Sequence, residues 1–471
     1  MRVNKIAWSA ALLALTAVIT SPAPPAAGAV AGDSRDFDGD GYQDVAAGVY
    51  VASGAPNGGA VILRGGPDGI AGYTVRRPPE NCTPDCYGSG EVVAAGDLDG
   101  DARPELIFSN RKGYLQIDSW KSDQVQTTYS GQGPGDRIWD LRAGQFDGQP
   151  GGDIVGIQNT YVMGRTQVHA VSQLISRLNG GGWTSKRLYD GPVEVLSMAT
   201  GDVHGSGRRQ AAMIIRRWVD DQPESPYLWL TDDLTKDPVT FEDGLWAWGA
   251  LCTTENRDVL GCPKKDSQVA MGDVNGDGRL DVVMVTPSTR GLQVWYGSAS
   301  GFSMFPGFSK HDLKWIDPGL AGDLALGDVN GDGADDIVLG SPGATVAGQA
   351  KAGQIVVVPG SPNPARGPEI DAVTMINEDR MSSPEDPATD PIGEVSQEGD
   401  RFGATVRVLD VTGDGKAEII VGAPGKDNEK GMLVVLRGSD HGVSGSGTQV
   451  FRAAQLGLGS SSINFGAFLA R

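Results

Sequence analysis

Residues 273–281 read DVNGDGRLD and residues 328–336 read DVNGDGADD, and five further stretches follow the same nine-residue pattern. The seven stretches, here loops 1 to 7, begin at Asp36, Asp97, Gln145, Asp202, Asp273, Asp328 and Asp410. Successive starts lie 48 to 82 residues apart, which suits one four-stranded propeller blade with its connections. The repeat therefore predicts an all-β fold, a seven-bladed β-propeller that occupies residues 32–471.

The two ends of the chain complement each other in this repeat. Loop 1 has no strand pattern before it, whereas residues 463–470 read as a strand with no loop after it. We expect the propeller to be closed by pairing of its N- and C-terminal segments, which would remove an open sheet edge. The alternative is a truncated eighth repeat.

The loops carry the oxygen ligands of a calcium site. Side-chain oxygens stand at positions 1, 3, 5 and 9, position 7 offers a main-chain carbonyl, and calcium takes six to eight such ligands. Three loops have the full set: Asp36, Asp38, Asp40, Tyr42 and Asp44 in loop 1; Asp273, Asn275, Asp277, Arg279 and Asp281 in loop 5; and Asp328, Asn330, Asp332, Ala334 and Asp336 in loop 6.

Two further loops depart slightly from the pattern, and two have lost it. Loop 7 has Asp410, Thr412, Asp414, Lys416 and Glu418, and loop 2 has Asp97, Asp99, Asp101, Arg103 and Glu105. In loop 2, Ala102 replaces the glycine of position 6, where a positive φ costs alanine about 1 kcal/mol. Loops 3 and 4 retain few carboxylates, so we expect about five calcium sites and two metal-free turns.

Position 12 separates these loops from helical calcium motifs. The EF-hand and related families need an acidic residue there, but the corresponding residues are Ala47, Phe108, Met284, Leu339 and Val421. Runs such as Asp-Val-Val and Glu-Ile-Ile after position 8 are typical of a buried strand. Each loop is therefore predicted to join two strands of a hairpin.

The N-terminal residues predict export. Residues 1–31 combine a basic start, an apolar stretch and an Ala-rich end, which is typical of a secretory signal peptide. The net charge of −20 disfavours nucleic acid and anionic lipid as partners. We expect a secreted, extracellular protein that does not insert in a membrane. Two local disulfides are expected in that compartment, from the pairs Cys82 with Cys86 and Cys252 with Cys262.

Two long excursions, at residues 218–263 and 361–400, interrupt the repeat. The first is rich in aromatic residues that could stack on a sugar, although packing is the commoner role of such residues. These ligand-binding candidates are Trp218, Tyr227, Trp229, Trp246 and Trp248. The second is rich in proline and acidic residues and is predicted to form a mobile lip.

The motif at residues 401–425 resembles a known family. The runs RFGATV (401–406), DVTGDG (410–415) and IIVGAPG (419–425) are similar to the FG-GAP repeat, and residues 328–343 are similar to a second copy. The chain resembles bacterial secreted FG-GAP proteins related to the N-terminal propeller of integrin α subunits. That resemblance implies a seven-bladed propeller, calcium in the hairpin loops and a role in adhesion or extracellular recognition.

The function expected from these features is recognition of an extracellular protein or polysaccharide by a calcium-stabilised propeller. No catalytic residues are assigned, because the four histidines are scattered and neither a Gly-x-Ser-x-Gly nor a His-Glu-x-x-His motif occurs. The alternative is a carbohydrate-active enzyme, a polysaccharide lyase or glycoside hydrolase, on the same scaffold.

Overall fold

A computed structural model describes residues 35–50, 58–79, 88–110, 113–121, 124–132, 138–149, 151–160, 168–177, 183–186, 193–219, 222–223, 225–231, 234, 244–247, 263–298, 308–313, 322–363, 366–379, 381–382, 393–459 and 463–471. The predicted signal segment 1–31, the four cysteines and Trp248 lie outside these residues.

The described residues form antiparallel sheets whose strands follow the order of the chain. They also contain two short helical turns, a 3-10 turn (Pro287–Thr289) and α1 (Lys426–Glu429). The all-β prediction is confirmed. Sheet 1 contains β1 (Val45–Val49), β2 (Gly59–Arg64) and β3 (Gly72–Arg76). Sheet 2 contains β4 (Val92–Gly96), β5 (Glu105–Ser109), β6 (Tyr114–Lys121) and β7 (Gln124–Gln132). Sheet 3 contains β8 (Ile138–Gly144), β9 (Asp153–Thr160), β10 (Val168–Arg177) and β11 (Trp183–Lys186).

The second half of the chain repeats this arrangement. Sheet 4 contains β12 (Val193–Gly201), β13 (Gln210–Val219), β14 (Gln222–Pro223), β15 (Tyr227–Thr231) and β16 (Gly244–Ala247). Sheet 5 contains β17 (Gln268–Gly272), β18 (Asp281–Thr286), β19 (Gly291–Trp295) and β20 (Phe308–Asp312). Sheet 6 contains β21 (Leu324–Gly327), β22 (Asp336–Ser341), β23 (Gln354–Val358), β24 (Thr374–Ile376) and β25 (Met381–Ser382). Sheet 7 contains β26 (Thr405–Leu409), β27 (Glu418–Ala423), β28 (Met432–Ser439) and β29 (Gly442–Arg452).

The hairpin prediction is confirmed, because loops 2 to 7 each join the first strand of a sheet to the second. In sheet 5 the last ladder pair before the loop is Gly272 with Asp281, and in sheet 6 it is Gly327 with Asp336. A Cβ on Gly327 would lie 2.5 Å from Val408 Cγ1 of sheet 7. Glycine therefore precedes the loop there because two sheets approach each other closely at that edge.

The apolar core is divided into clusters that each lie between two neighbouring sheets. Val283 and Ile337 belong to the cluster between sheets 5 and 6, and Val338 and Ile419 to the one between sheets 6 and 7. Consecutive sheets pack in this way from sheet 1 to sheet 7. A further cluster contains β1 and β2 residues of sheet 1 together with β26, β27 and β28 residues of sheet 7. The last sheet therefore packs against the first.

The C-terminal segment pairs with the first sheet, as the complementary ends predict. The Gly48 N–H donates to the Phe468 carbonyl at 2.8 Å, and the Ala470 N–H donates to the Ala46 carbonyl at 2.9 Å. Leu469 forms an antiparallel bridge with Ala47. Sheet 1 thus gains a neighbour on the free side of β1.

A buried charge cluster connects the first strands of sheets 6 and 7 to this C-terminal segment. Arg407 in β26 and Arg471 both form ion pairs with Asp323, which directly precedes β21. Arg407 also donates from Nε to the Ala470 carbonyl at 2.7 Å. Because Asp323 is 4% exposed, its charge depends on these two guanidinium groups.

Candidate functional site

The residue at position 1 organises each acidic loop before any ligand is considered. In six loops an aspartate there accepts a hydrogen bond from the N–H of position 6, as Asp328 Oδ2 does from Gly333 at 2.8 Å. The other members are Asp36, Asp97, Asp202, Asp273 and Asp410. This bond curls the loop back toward its first residue.

Position 6 requires a left-handed backbone, as predicted. The φ angles of Gly41, Gly278, Gly333 and Gly415 lie between 81° and 94°. Ala102 in loop 2 has φ 71°, so the strain expected from its side chain is present in the structure.

Position 9 has a structural role that the sequence analysis missed. In all seven loops its side-chain oxygen accepts the N–H of position 2, as Asp281 Oδ2 does from Val274 at 3.0 Å. The other six acceptors are Asp44, Glu105, Asp153, Gln210, Asp336 and Glu418. The second oxygen of Asp281 accepts the Gly297 N–H at 2.8 Å. Asp281 therefore ties loop 5 to the end of the third strand of its sheet. The bond to position 2 is common to all seven loops and explains why the metal-poor loops 3 and 4 retain a polar residue at position 9.

The sequence contains a signal for the hydrogen bond between position 2 and position 9, because the residue type at position 2 is restricted. Position 2 is always a large apolar residue: Phe37, Leu98, Phe146, Val203, Val274, Val329 or Val411. These side chains are at most 5% exposed. An apolar residue that is buried between two polar ones carries its own N–H into the protein interior, and that N–H needs an acceptor.

Loops 1 and 2 bring three carboxylates together. Ligand oxygens of Asp36, Asp38 and Asp40 lie within 4.8 Å of one another, as do those of Asp97, Asp99 and Asp101. Asp38 Oδ1 is buried and accepts no hydrogen bond from the described residues. A buried carboxylate oxygen without a hydrogen-bond donor is well placed to bind a hard cation. The donor set of loop 1 therefore fits calcium.

The electrostatics of the loops favour a bound cation. Burial raises the pKa of Asp44 to about 7, that of Asp281 to about 8 and that of Asp336 to about 7. For Asp38, burial and then the charges of Asp40 and Asp36 raise the pKa. These carboxylates are therefore costly to ionise where they stand, and a divalent ion would offset both burial and mutual repulsion.

Loops 3 and 4 keep the turn with different chemistry. Gln145 Oε1 accepts the Gly148 N–H at 2.7 Å, and Gln145 Nε2 donates to the Gly151 carbonyl at 2.7 Å. In loop 4, Ser206 Oγ replaces the position 5 carboxylate as acceptor for Arg208 N–H at 3.3 Å. The side-chain amide of Gln145 thus makes hydrogen bonds to backbone groups of its own loop. These bonds can hold the turn without an ion.

Neighbouring loops are bonded to each other along one edge of the molecule. The Asp335 N–H of loop 6 donates to the Asp273 carbonyl of loop 5 at 2.7 Å, and the Ala417 N–H of loop 7 donates to the Asp328 carbonyl of loop 6 at 2.7 Å. The Asp410 N–H of loop 7 donates to Gln43 Oε1 of loop 1 at 2.9 Å. The loops therefore lie side by side, and loop 7 lies beside loop 1.

The aromatic ligand candidates fall in or near the strands of sheet 4. Tyr227 and Trp229 lie in β15, are each 5% exposed and pack in the cluster between sheets 3 and 4. Their burial favours packing over stacking on a sugar at these two positions. Trp218 lies in β13 and Trp246 in β16, and Trp248 lies outside the described residues.

The second excursion is anchored where the structure describes it. Buried Glu378 and Asp400 both form ion pairs with buried Lys426. The prediction of a mobile lip did not include these two anchors at Glu378 and Asp400. The acidic sequence suggested solvation because the partner lysine is distant in sequence.

Among the described residues, no helix has the length and apolar character needed to cross a lipid bilayer.

Comparison with known proteins identifies the repeat. An FG-GAP-like repeat family model matches residues 273–339, and the FG-GAP repeat model matches residues 321–358 and 402–436. Integrin alpha pat-2 of Caenorhabditis briggsae is 28% identical over 249 residues, and its Caenorhabditis elegans counterpart is 29% identical over 248. Each alignment covers 46% of this chain, which spans only 18% of those relatives.

A solved structure also shows a distant likeness. It is an Agrocybe aegerita lectin, described as recognising non-reducing terminal N-acetylglucosamine. The TM-score is 0.45 at 14% identity, over 87% of this chain and 89% of the lectin chain, and a likeness at this level carries no argument about a ligand. What the sequence comparisons show is that the chain carries FG-GAP repeats and is partly similar to integrin alpha chains.

Proposed function

We propose that the chain forms a closed seven-bladed propeller, stabilised by calcium, that is exported and acts as an extracellular recognition or adhesion module. The observation that carries this proposal is the row of acidic loops along one edge, in which loop 7 is bonded to loop 1. The packing of sheet 7 against sheet 1 and the pairing of the C-terminal segment with β1 support closure.

Five loops would hold the ions, with ligands from positions 1, 3, 5, 7 and 9. The carboxylates at these positions number 17, nearly the whole net charge of −20. Five calcium ions would supply ten positive charges, which offset more than half of this negative charge, and would brace each hairpin. At ~1 mM free calcium and a Kd of ~0.1 mM, each ion stabilises the fold by about 1.4 kcal/mol. A scaffold role is therefore sufficient to explain the sites.

The opposite edge is where we place ligand recognition. In sheets 5, 6 and 7 the connections between second and third strands lie there, because loops 5, 6 and 7 take the connections between first and second strands. In sheet 7 this connection contains three consecutive residues, Asp427 to Glu429, with φ between 54° and 63°. Consecutive left-handed residues other than glycine are strained, and such strain tends to occur at functional surfaces.

Two relatives by sequence support adhesion as the class of function, since both pat-2 proteins are integrin alpha chains. The experiment is binding of the purified chain to immobilised polysaccharides and extracellular-matrix proteins, in calcium and in EDTA. We expect saturable binding to one of these classes, lost in EDTA and restored by calcium. Release of cleaved sugar products from the same polysaccharides would contradict a recognition-only role. Retained binding after removal of all bound metal would contradict the calcium scaffold.

A further inference from the structure

Lys426, Asp400 and Glu378 form a buried cluster away from the acidic loops. Their exposed fractions are 3%, 2% and 0%. Lys426 Nζ lies 2.9 Å from Asp400 Oδ2 and also donates to Glu378 Oε2. The Glu378 and Asp400 carboxyl groups are themselves within hydrogen-bonding reach of each other. An amine and two carboxyl groups therefore share one water-poor site.

From this geometry we propose that Lys426 and Asp400 become joined by an intramolecular isopeptide bond, with Glu378 transferring the protons. The bond would link Lys426 Nζ to Asp400 Cγ. It would tie the second excursion, which precedes sheet 7, to the turn between β27 and β28.

The backbone holds the two reacting residues in place. The Gly425 N–H donates to the Asp400 carbonyl at 3.0 Å, and the Arg401 N–H donates to the Lys351 carbonyl at 2.9 Å. The Lys426 ammonium is further fixed by a bond to the Val395 carbonyl at 2.6 Å. Fixed neighbours in a site of this kind react as if at high concentration, which compensates for the weak reactivity of a carboxylic acid.

The charges of the cluster permit the reactive form. Burial raises the pKa of Glu378 to about 8, so this carboxyl group exchanges a proton readily near neutral pH. Burial alone would lower the pKa of Lys426, but its hydrogen bonds to Glu378 and Asp400 outweigh burial and raise it. The ammonium is therefore the resting form of Lys426, and attack requires that it first pass a proton to one of the two carboxyl groups beside it. Only a minor fraction of the molecules holds the neutral amine at any moment.

The reaction is a condensation that balances without any co-reactant. Neutral Lys426 Nζ attacks Asp400 Cγ, while the Gln397 N–H, 2.8 Å from Asp400 Oδ2, stabilises the oxygen that develops negative charge. Glu378 takes a proton from the nitrogen and delivers one to Asp400 Oδ1, which leaves as water. Glu378 Oε1 accepts no hydrogen bond from the described residues, so this oxygen has room to exchange a proton. Because the step occurs once per molecule, a small reactive fraction is enough.

The test is peptide mapping by mass spectrometry of the purified, natively folded full chain after proteolysis. We expect one branched peptide that contains both Lys426 and Asp400 and is lighter by one water than its two parts together. Trypsin should fail to cleave after Lys426. Recovery of an unmodified peptide ending at Lys426 from folded protein would overturn the proposal, and a link from Lys426 to Glu378 would overturn the assignment of Asp400.

Two variants separate the covalent bond from a simple ion-pair cluster. Lys426→Arg keeps the positive charge but cannot form the amide, so the branched peptide should disappear. Glu378→Gln keeps the shape but removes the proton carrier, and bond formation should slow by about 100-fold. Rapid and complete linkage in Glu378→Gln would overturn the role of Glu378. If either variant fails to fold, the map of the unaltered chain still decides the proposal.

Discussion

Gln43 and Asp410 are 367 residues apart in sequence, yet the Asp410 N–H donates a 2.9 Å hydrogen bond to Gln43 Oε1. This bond joins loop 7 to loop 1. In the middle of the chain, Asp335 makes the same contact, since its Oδ2 accepts the Asp273 N–H at 2.8 Å. The junction between the two ends of the chain is thus built like a junction between consecutive loops.

Replacing Gln43 with alanine should weaken this junction. The Asp410 N–H loses its acceptor, and we expect the free energy of unfolding to fall by about 1 kcal/mol. Denaturant titration measures the change. The matched control is Gln455→Ala, because Gln455 accepts only the exposed N–H of Arg452, three residues away. Equal effects in the two variants would argue against a special role for the loop 7 to loop 1 contact.

Ala102→Gly should stabilise the protein. Ala102 has φ 71°, and glycine adopts this conformation without the strain of about 1 kcal/mol that a Cβ causes. We expect a rise in melting temperature and tighter calcium binding at loop 2. Ala334→Gly is the control. Ala334, at position 7 of loop 6, does not have a positive φ, so glycine there should destabilise the protein. A lower melting temperature in Ala102→Gly would refute the strain argument.

Asp153→Ala tests the structural role of position 9 in a loop that we expect to be metal-free. Asp153 Oδ2 accepts the N–H groups of Phe146 and Asp147, both at 3.0 Å. Their loss should cost about 1–3 kcal/mol of stability without altering the number of bound calcium ions. Asp281→Ala in loop 5 should lose comparable stability and one ion. A drop in bound calcium in Asp153→Ala would show that loop 3 does hold an ion.

Asp323→Asn should be strongly destabilising and should change the response to acid. Burial alone would raise the pKa of Asp323, but Arg407 and Arg471 outweigh it and hold the pKa below its usual value. The stabilisation is therefore present above the unfolded pKa near 4 and is lost as pH falls through the lower folded value.

At neutral pH the variant should lose about 3–5 kcal/mol, because Arg407 is left buried without a counter-charge. The difference between the two proteins, measured by thermal unfolding from pH 7 down to pH 3, should shrink below about pH 4. A constant difference over that range would contradict the ionised state assigned to Asp323.

Local pattern was enough to predict the strands, the hairpin loops and the left-handed position 6. These features depend on residues within one repeat, such as Gly333 and Asp328, so a single repeat contains the information. The second role of position 9 went unnoticed because Asp281 was assigned to the metal alone, although the apolar residue at position 2 signalled a buried N–H.

Long-range clusters could not be predicted in the same way. Lys426 finds its partners at Glu378 and Asp400, and Arg407 finds Asp323, across stretches of 26 to 84 residues. Nothing in the spacing of these residues marks them as neighbours before the sheets are stacked. The burial of Trp229 was likewise decided by packing between sheets 3 and 4.

The central claim is that acidic loops along one edge hold calcium ions that brace the fold. The most direct measurement is the metal content of the purified protein by elemental analysis, paired with its melting temperature before and after EDTA. We predict about five calcium ions per chain and a fall of about 5–10 °C on chelation, reversed by added calcium. A protein with no bound divalent ion, or one whose melting temperature is unchanged by EDTA, would contradict the account.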